Sequence, residues 1–280
     1  MRDSTGGNES KPELYWFHVD ETNTTVRNGE FLIVGGLVLT GQQIMSVDLA
    51  IDFIRNHYGY KPTDQFKFNT KSRPSQVSIE DFVKAKEGAI SLLEPLGIRM
   101  IVYVVLHDIT KNKTKEQVMS MAFNSLFAHF DMRFLDFHRS KGVVCIDRLD
   151  DRFTFKYLQD KHQAGIAFVG GREQQLERIM HYSVTTDGAS HISSLVDIAL
   201  GAFRYCVNLS NSPQKIDKLE LANKMLRPLG KALWSGEQDG RRLVTGFGYL
   251  PHPRGGIRVE DYRQKYETLA ADLQQWSASV

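Results

Sequence analysis

The chain has 280 residues, enough for one elaborated domain or two small ones, and its 41% hydrophobic and 24% charged residues are those of a globular chain rather than a disordered one. A formal net charge of +2 names no partner by itself, although a protein that grips phosphates can confine its positive charge to one groove. The start MRDSTGGNESKPE has no apolar core for a signal peptide and no later stretch reads as ~18 apolar residues, so a cytoplasmic protein without a membrane partner is expected.

Order is expected from Leu14, after a polar, Gly-rich flexible tail over 1–13. Tyr15 to Asp20 reads as a strand, TNTTVRNGE as a turn, and Phe31 to Thr40 as the returning strand of a β-hairpin. Gly35 and Gly36 lie inside that second strand, where missing side chains mark a bulge or close packing more readily than a phosphate loop; no GxGxxG motif follows. Ile44, Val47, Ile51 and Ile54 recur at helical spacing up to Gly59. A third, edge strand is expected over Asp64 to Thr70, with Phe66 and Phe68 on one face and Lys67 on the other. A helix from Ile79 to Leu93 is stopped by Pro95 and Gly97, and Ile98 to His107 is apolar and β-branched enough for a central strand buried on both faces.

A long helix follows over Lys115 to Arg139, then the strand GVVCID ending at Asp147, a helix around Phe153 to Lys161, a short strand GIAFVG, and LERIMHYSV, which fits either state. A helix carrying Asp197 in ISSLVDIALGAF closes the main unit. Beyond Ser210 the pattern is helical to Leu233, irregular through RRLVTGFGYL and PHPRGG, and helical again from Glu260. The expected organisation is a main domain over 14–210 with 211–280 as a C-terminal helical extension packed on it. A hairpin followed by alternating helices and strands predicts an α/β fold, a mixed sheet with helices on both faces, whose ligands gather at strand ends.

Asp20 and Glu21 end the first strand, Asp147 ends another, and Asp197 interrupts an apolar helix. A buried carboxylate costs several kcal/mol unless a positive charge sits beside it, and a divalent metal would supply one. A single acid at a strand end or helix edge is ordinarily solvated, so the set carries more than any member. Cys145 and Cys206 read as reduced core residues, spaced for neither a zinc pair nor a CxxC. Glu173, Glu177 and His181 stand at helical spacing, chiefly a solvated face and otherwise the source of an added ligand; His191 reads as a helix-start residue or a substrate contact. Lys111, Lys113 and Lys115, and Arg241, Arg242, Arg254 and Arg258, are either solvated surface or a track for a nucleic-acid backbone, with Tyr249 and His252 as candidate stacking residues.

Taken in order, the strand ending Asp20-Glu21, the segment QFKFN, the strand end Ile146-Asp147-Arg148 and the helix segment LVDIALGA resemble the bacterial family of domains of unknown function numbered 3800, over about Leu14 to Tyr205. The resemblance implies an RNase H-like fold and two-metal hydrolysis of nucleic-acid phosphodiesters. It maps the family's strand-one pair onto Asp20 and Glu21, its strand-end acid onto Asp147 and its helix acid onto Asp197, with Val196 where Ala is usual. The family's Glu-Leu-Lys falls on Gln65-Phe66-Lys67, so Glu21 or Asp64 would replace the missing acid, or one metal site would be weak.

The implied cofactors are two Mg²⁺ or Mn²⁺ ions, which prefer hard carboxylate oxygens and as a pair stabilise attacking and leaving oxygens. Asp20 is expected to bridge them, Asp147 and Asp197 to complete one shell each, Glu21 to orient a water or ligand, and Lys67 to neutralise the scissile phosphate or stand as a solvated edge charge. In RNase H-like sheets the first strand lies between the second and fourth. If Asp64 to Thr70 is the third strand, Ile98 to His107 becomes the fourth and Asp108 is geometrically placed as a ligand; the family's motif favours Asp147, which is the expected ligand, with Asp108 in reserve. The implied partners are nucleic acid, DNA or RNA, and a protein of a bacterial defence complex, in which the chain would act as an antiviral effector. Rival expectations are a non-catalytic RNase H-fold binding or regulatory subunit of a defence or mobile-element complex, for which Gln65 speaks, and a nucleotide phosphatase.

Overall fold

Ten consecutive buried residues, Phe31 to Thr40, can be satisfied by a strand covered on both faces, and the sheet is built around that segment. The computed structural model describes residues 13–147, 151–167, 173–186, 188–210, 219–253 and 256–278. The expected tail (save Glu13), Arg148, Arg254 and the second half of GIAFVG, 168–170, lie outside the described residues.

Strands β1 (Leu14–Thr22) and β2 (Phe31–Thr40) form the expected antiparallel hairpin, with Tyr15 opposite Thr40 and Thr22 opposite Ile33. β3 (Arg99–Leu106) continues the meander against β2, while β4 (Lys141–Asp147) runs parallel to β1 on its other side. Two short pairs lie outside this sheet, β5 (Ile166–Ala167) with β6 (Glu173–Gln174) and β8 (Gly236–Gln238) with β9 (Arg241–Leu243). β7 (Ile179–Thr185) and β10 (Tyr249–His252) close the two edges, giving the order β10-β3-β2-β1-β4-β7. β1 therefore lies between β2 and β4 in a mixed α/β sheet.

Alternation along the strands makes two cores. Helices α1 (Gly41–His57) and α2 (Ile79–Ser91) pack on the face carrying Ile33, Leu37, Val102 and Val104. A single turn, α3 (His107–Thr110), follows β3, and α4 (Lys115–His129) continues through a π-helical segment, Phe130–Leu135, under the other face with α5 (Asp151–Ala164). That second core holds Phe17, Val19, Val34, Val144 and Ile146. α6 (His191–Ser210), α7 (Leu219–Ala232) and α8 (Glu260–Ala278) complete the first face. α6 is long and apolar enough to cross a membrane, with mean hydropathy 1.3, but 72% of that stretch is buried inside the protein against the sheet.

Three expectations change. Asp64 to Thr70 is not an edge strand but a loop leading into a short 3-10 turn, Thr70–Ser72. β3 is accordingly the third strand and β4 the fourth, which puts Asp147, not Asp108, at the end of the strand beside β1. LERIMHYSV is a turn leading into β7, so Glu173, Glu177 and His181 fall on β6, a loop and β7 and share no helical face. The irregular C-terminal stretch contributes β10, parallel to β3, with Pro251 accommodated because the strand is at the edge.

Candidate active site

Adjacent residues of a strand point to opposite faces, so β1 cannot aim Asp20 and Glu21 the same way. Glu21 is in phase with Phe17 and Val19, toward α4; Asp20 is in phase with His18, toward α6. β4 runs in register beside β1, with Val19 against Ile146, and the next step along both strands brings Asp147 alongside Asp20. Gly35 is the partner of Asp20 on β2. The hairpin register is unbroken there, and a Cβ on Gly36 would stand 1.7 Å from the His18 carbonyl oxygen, so the glycine pair serves close strand packing.

Burial, with Glu21 and Asp147 close by and Asp197 adding less, pushes Asp20 up to about 8. Its Oδ1 accepts the Glu21 N–H at 2.7 Å, the one contact favouring the ionised form. Among the described residues no cation offsets it. Burial also raises Glu21 to about 7, with Lys115 acting against the shift and Asp147 with it, and its Oε2 is buried without a hydrogen-bond partner. His18 supplies no positive charge: burial lowers it to about 4, and neither ring nitrogen has a partner.

Asp197 is differently placed. Its Oδ2 accepts the Phe68 N–H at 2.7 Å, tying the 64–70 loop to α6. Lys86 lies close by: its Nζ donates to the Phe68 carbonyl at 3.1 Å and sits 4.6 Å and 4.2 Å from the Phe68 and Phe82 ring centroids. Burial lowers Lys86 to about 8, with Asp197 opposing. Gly201, one turn beyond Asp197, gives room to the Phe68 ring; a Cβ there would lie 2.4 Å from it. Phe66 and Phe68 thus keep their shared inward face by packing on helices, without a strand ladder.

Lys67, between them, lines a cleft of about 400 Å³ with Asp64, Gln65, Ser190, His191 and Asp197. Arg55 shapes its rim through Nη2, which donates to the carbonyls of Lys61 at 2.9 Å and Asp64 at 2.9 Å. His191, the first residue of α6, stands 3.9 Å from Asp52. The structure therefore brings Asp20, Asp147 and Asp197 toward one side of the strand ends, joins Lys67 to Asp197 through the cleft, and leaves Glu21 directed toward the opposite helix layer. Asp108 is exposed in α3, at the end of β3.

Sequence reasoning missed Lys86 and Arg55. Each is a cation in phase with a buried stripe, Phe82-Ala85-Lys86-Ala89 on α2 and Val47-Ile51-Ile54-Arg55 on α1, and that mismatch was the available signal. Other candidates prove structural. Arg242 donates to the carbonyls of Gly230, Lys231 and Leu233, closing the end of α7; Tyr249 is buried in the first core, and His252 is hydrogen-bonded to Tyr103 at 2.6 Å. Arg241 and Arg258 are exposed. Cys145 and Cys206 are buried free thiols, as expected.

Among the described residues, no three His, Cys, Asp or Glu side chains stand close enough together to hold a metal ion. The donor chemistry still suits one: Asp20 is a hard oxygen ligand with no cation to offset it among the described residues, and Glu21 Oε2 is buried without a hydrogen-bond partner. Comparison of the chain with known protein families, with curated proteins and with solved structures finds no match.

Proposed function

We propose that the chain is a metal-dependent nuclease that hydrolyses phosphodiester bonds of nucleic acid, with Asp20, Asp147 and Asp197 holding Mg²⁺ or Mn²⁺ and a cytoplasmic place in bacterial defence, as the resemblance to family 3800 implies. The observation that carries it is the meeting of acids from β1 and β4 at their carboxyl ends, with Asp20 pushed up to about 8 and no cation among the described residues to offset it. Bound ions would supply Lewis-acid stabilisation of the attacking and leaving oxygens of the phosphate. Glu21, held up to about 7, suits a group that takes or releases a proton near neutral pH. Lys67, in the cleft beside Asp197, suits a contact to substrate phosphate.

The test is incubation of purified protein with single- and double-stranded DNA and RNA in the presence of Mg²⁺ or Mn²⁺. Asp20→Asn, Asp147→Asn and Asp197→Asn should each lower cleavage at least ~100-fold with the fold retained, and double variants should resemble singles because members of one catalytic unit are non-additive. Near-normal activity in Asp197→Asn would remove α6 from the site. That outcome has a specific rival behind it: Asp197 already accepts the Phe68 N–H and has Lys86 beside it, as a purely structural acid would. A chain that binds nucleic acid with no metal-dependent cleavage would instead be a non-catalytic RNase H-fold subunit of a defence or mobile-element complex.

A further inference from the structure

We infer that the cleft between the β1–β2 turn, α3 and the start of α4 is a phosphate-backbone subsite for one single strand of nucleic acid, leading to the strand-end acids; the direction of travel rests on the nuclease reading, the binding does not. Its rim carries Lys111, Lys113 and Lys115, and its apolar lining includes Leu32, Val118 and Met119. The volume is about 360 Å³.

Local structure spaces the three lysines. Lys111 ends the α3 turn and the Lys113 N–H donates to the Thr110 carbonyl at 2.9 Å. Thr114 then caps α4 through Gln117, which fixes Lys115 as the first helical residue. Alternate residues across a capped turn therefore hold three cations beside one recess. Among the described residues none of their ammonium groups makes an ion pair or a hydrogen bond. Elsewhere lysines are matched, Lys84 with Glu80, Lys231 with Glu94 and Lys265 with Glu30. The one acid in the lining is exposed Asp108.

Unmatched like charges held together repel one another, and a polyanion relieves that repulsion with release of its own counterions. The recess also borders one of the strand-end acids: Lys115 is the cation that acts on Glu21, and Lys113 acts on His252 across the end of β3. A recess of this volume takes about one nucleotide, with a base or sugar on the apolar lining, whereas a duplex presents its phosphates on a convex surface too broad to enter.

The experiment measures fluorescence-anisotropy binding of a labelled twelve-nucleotide single strand, as DNA and as RNA, and of the matching duplex, with EDTA present so that nothing is cleaved. Lys111→Gln/Lys113→Gln, which leaves Lys115 in place, is compared with wild type across a salt series. We expect the double variant to melt as wild type does, to bind single strands about 10-fold more weakly, and to lose about 1.4 from the slope of log K against log salt, roughly 0.7 for each lost phosphate contact. No single-strand binding by wild type, an unchanged slope in the variant, or duplex bound as tightly as single strand and weakened equally would overturn the inference. Mn²⁺-dependent hydrolysis of bis(p-nitrophenyl) phosphate separates the two readings, because that substrate has no strand to grip. Its absence in wild type with strand binding and the variant's defect intact removes the nuclease and keeps the cleft; its persistence in both proteins with unchanged strand binding does the reverse.

Discussion

Asp20 ionises at a cost that the described protein does not offset. Its folded pKa of about 8 lies above the ordinary carboxylate value of 3.8, and Glu21, at about 7, lies above 4.5. A group with a raised folded pKa binds more protons folded than unfolded across that interval, so stability falls as pH rises from about 4 and levels off above about 8. The melting temperature of metal-free protein should therefore decline between pH 5 and pH 8.5. Asp20→Asn should flatten that decline and melt at least about 3 °C above wild type at pH 8.5, a shift of about 1 kcal/mol for a chain of this size. Mn²⁺ should raise the wild type and much less the variant, by mass action on the folded state. An Asp20 that merely held a turn would give the opposite signs, with Asn destabilising and Mn²⁺ without effect on either protein.

At the level of elements, the 64–70 loop is held on α6 by one carboxylate and one glycine, and on α2 by one buried lysine. Gly201→Ala would drive a methyl group into the Phe68 ring, whose backbone N–H and carbonyl are fixed by Asp197 and Lys86. We expect a loss of about 1–3 kcal/mol, typical of overpacking, together with faster hydrogen exchange at the Phe68 amide. Unchanged exchange there would mean that the loop is anchored through other contacts. The same loop shows what the sequence could convey. Phe66, Lys67 and Phe68 alternate as a strand does, but alternation reports only that one side is buried, and α6 buries it here without a ladder. β2, β3 and the start of α8 were legible because long apolar runs and a clean helix start leave one local solution. β10 was not: four residues with Pro251 among them form a strand because β3 offers an open edge. The acids could be read as a set because charge is out of place in such runs. Asp147 could be chosen over Asp108 from the motif it resembles, but placing it beside β1 needed the strand count, and the nearness of Lys86 to Asp197 needed the fold, since both depend on contacts between distant segments.

Across the whole molecule, the segment beyond Ser210 belongs to the core that supports the site. Met225 and Leu229 of α7, Tyr249 of β10 and Leu269 and Leu273 of α8 share one apolar cluster with Ile33, Val102 and Leu195. Tyr266 of α8 accepts the Leu106 N–H through its hydroxyl at 2.7 Å, and its ring meets Phe31 edge-on at 5.2 Å. Ending the chain at Ser210 would leave the outer edge of β3 unpaired, the first sheet face partly bare, and that buried amide at the carboxyl end of β3 without its acceptor, beside the turn that carries the lysine cleft. Each buried amide left unpaired costs about 1–3 kcal/mol, and a net stability of roughly 5–15 kcal/mol does not survive that loss combined with exposure of so many apolar side chains. Residues 1–210 alone should therefore give no cooperative thermal transition and should bind a hydrophobic dye, whereas the full chain should melt in one transition seen alike by far-ultraviolet circular dichroism and by tryptophan fluorescence. Trp234, two residues before β8 and buried in the second core, makes the second probe sensitive to the C-terminal segment. A truncated chain that unfolds cooperatively, or a full chain whose fluorescence transition precedes its loss of secondary structure, would show that 211–280 is a separable extension and that strand-end acids need no support from it.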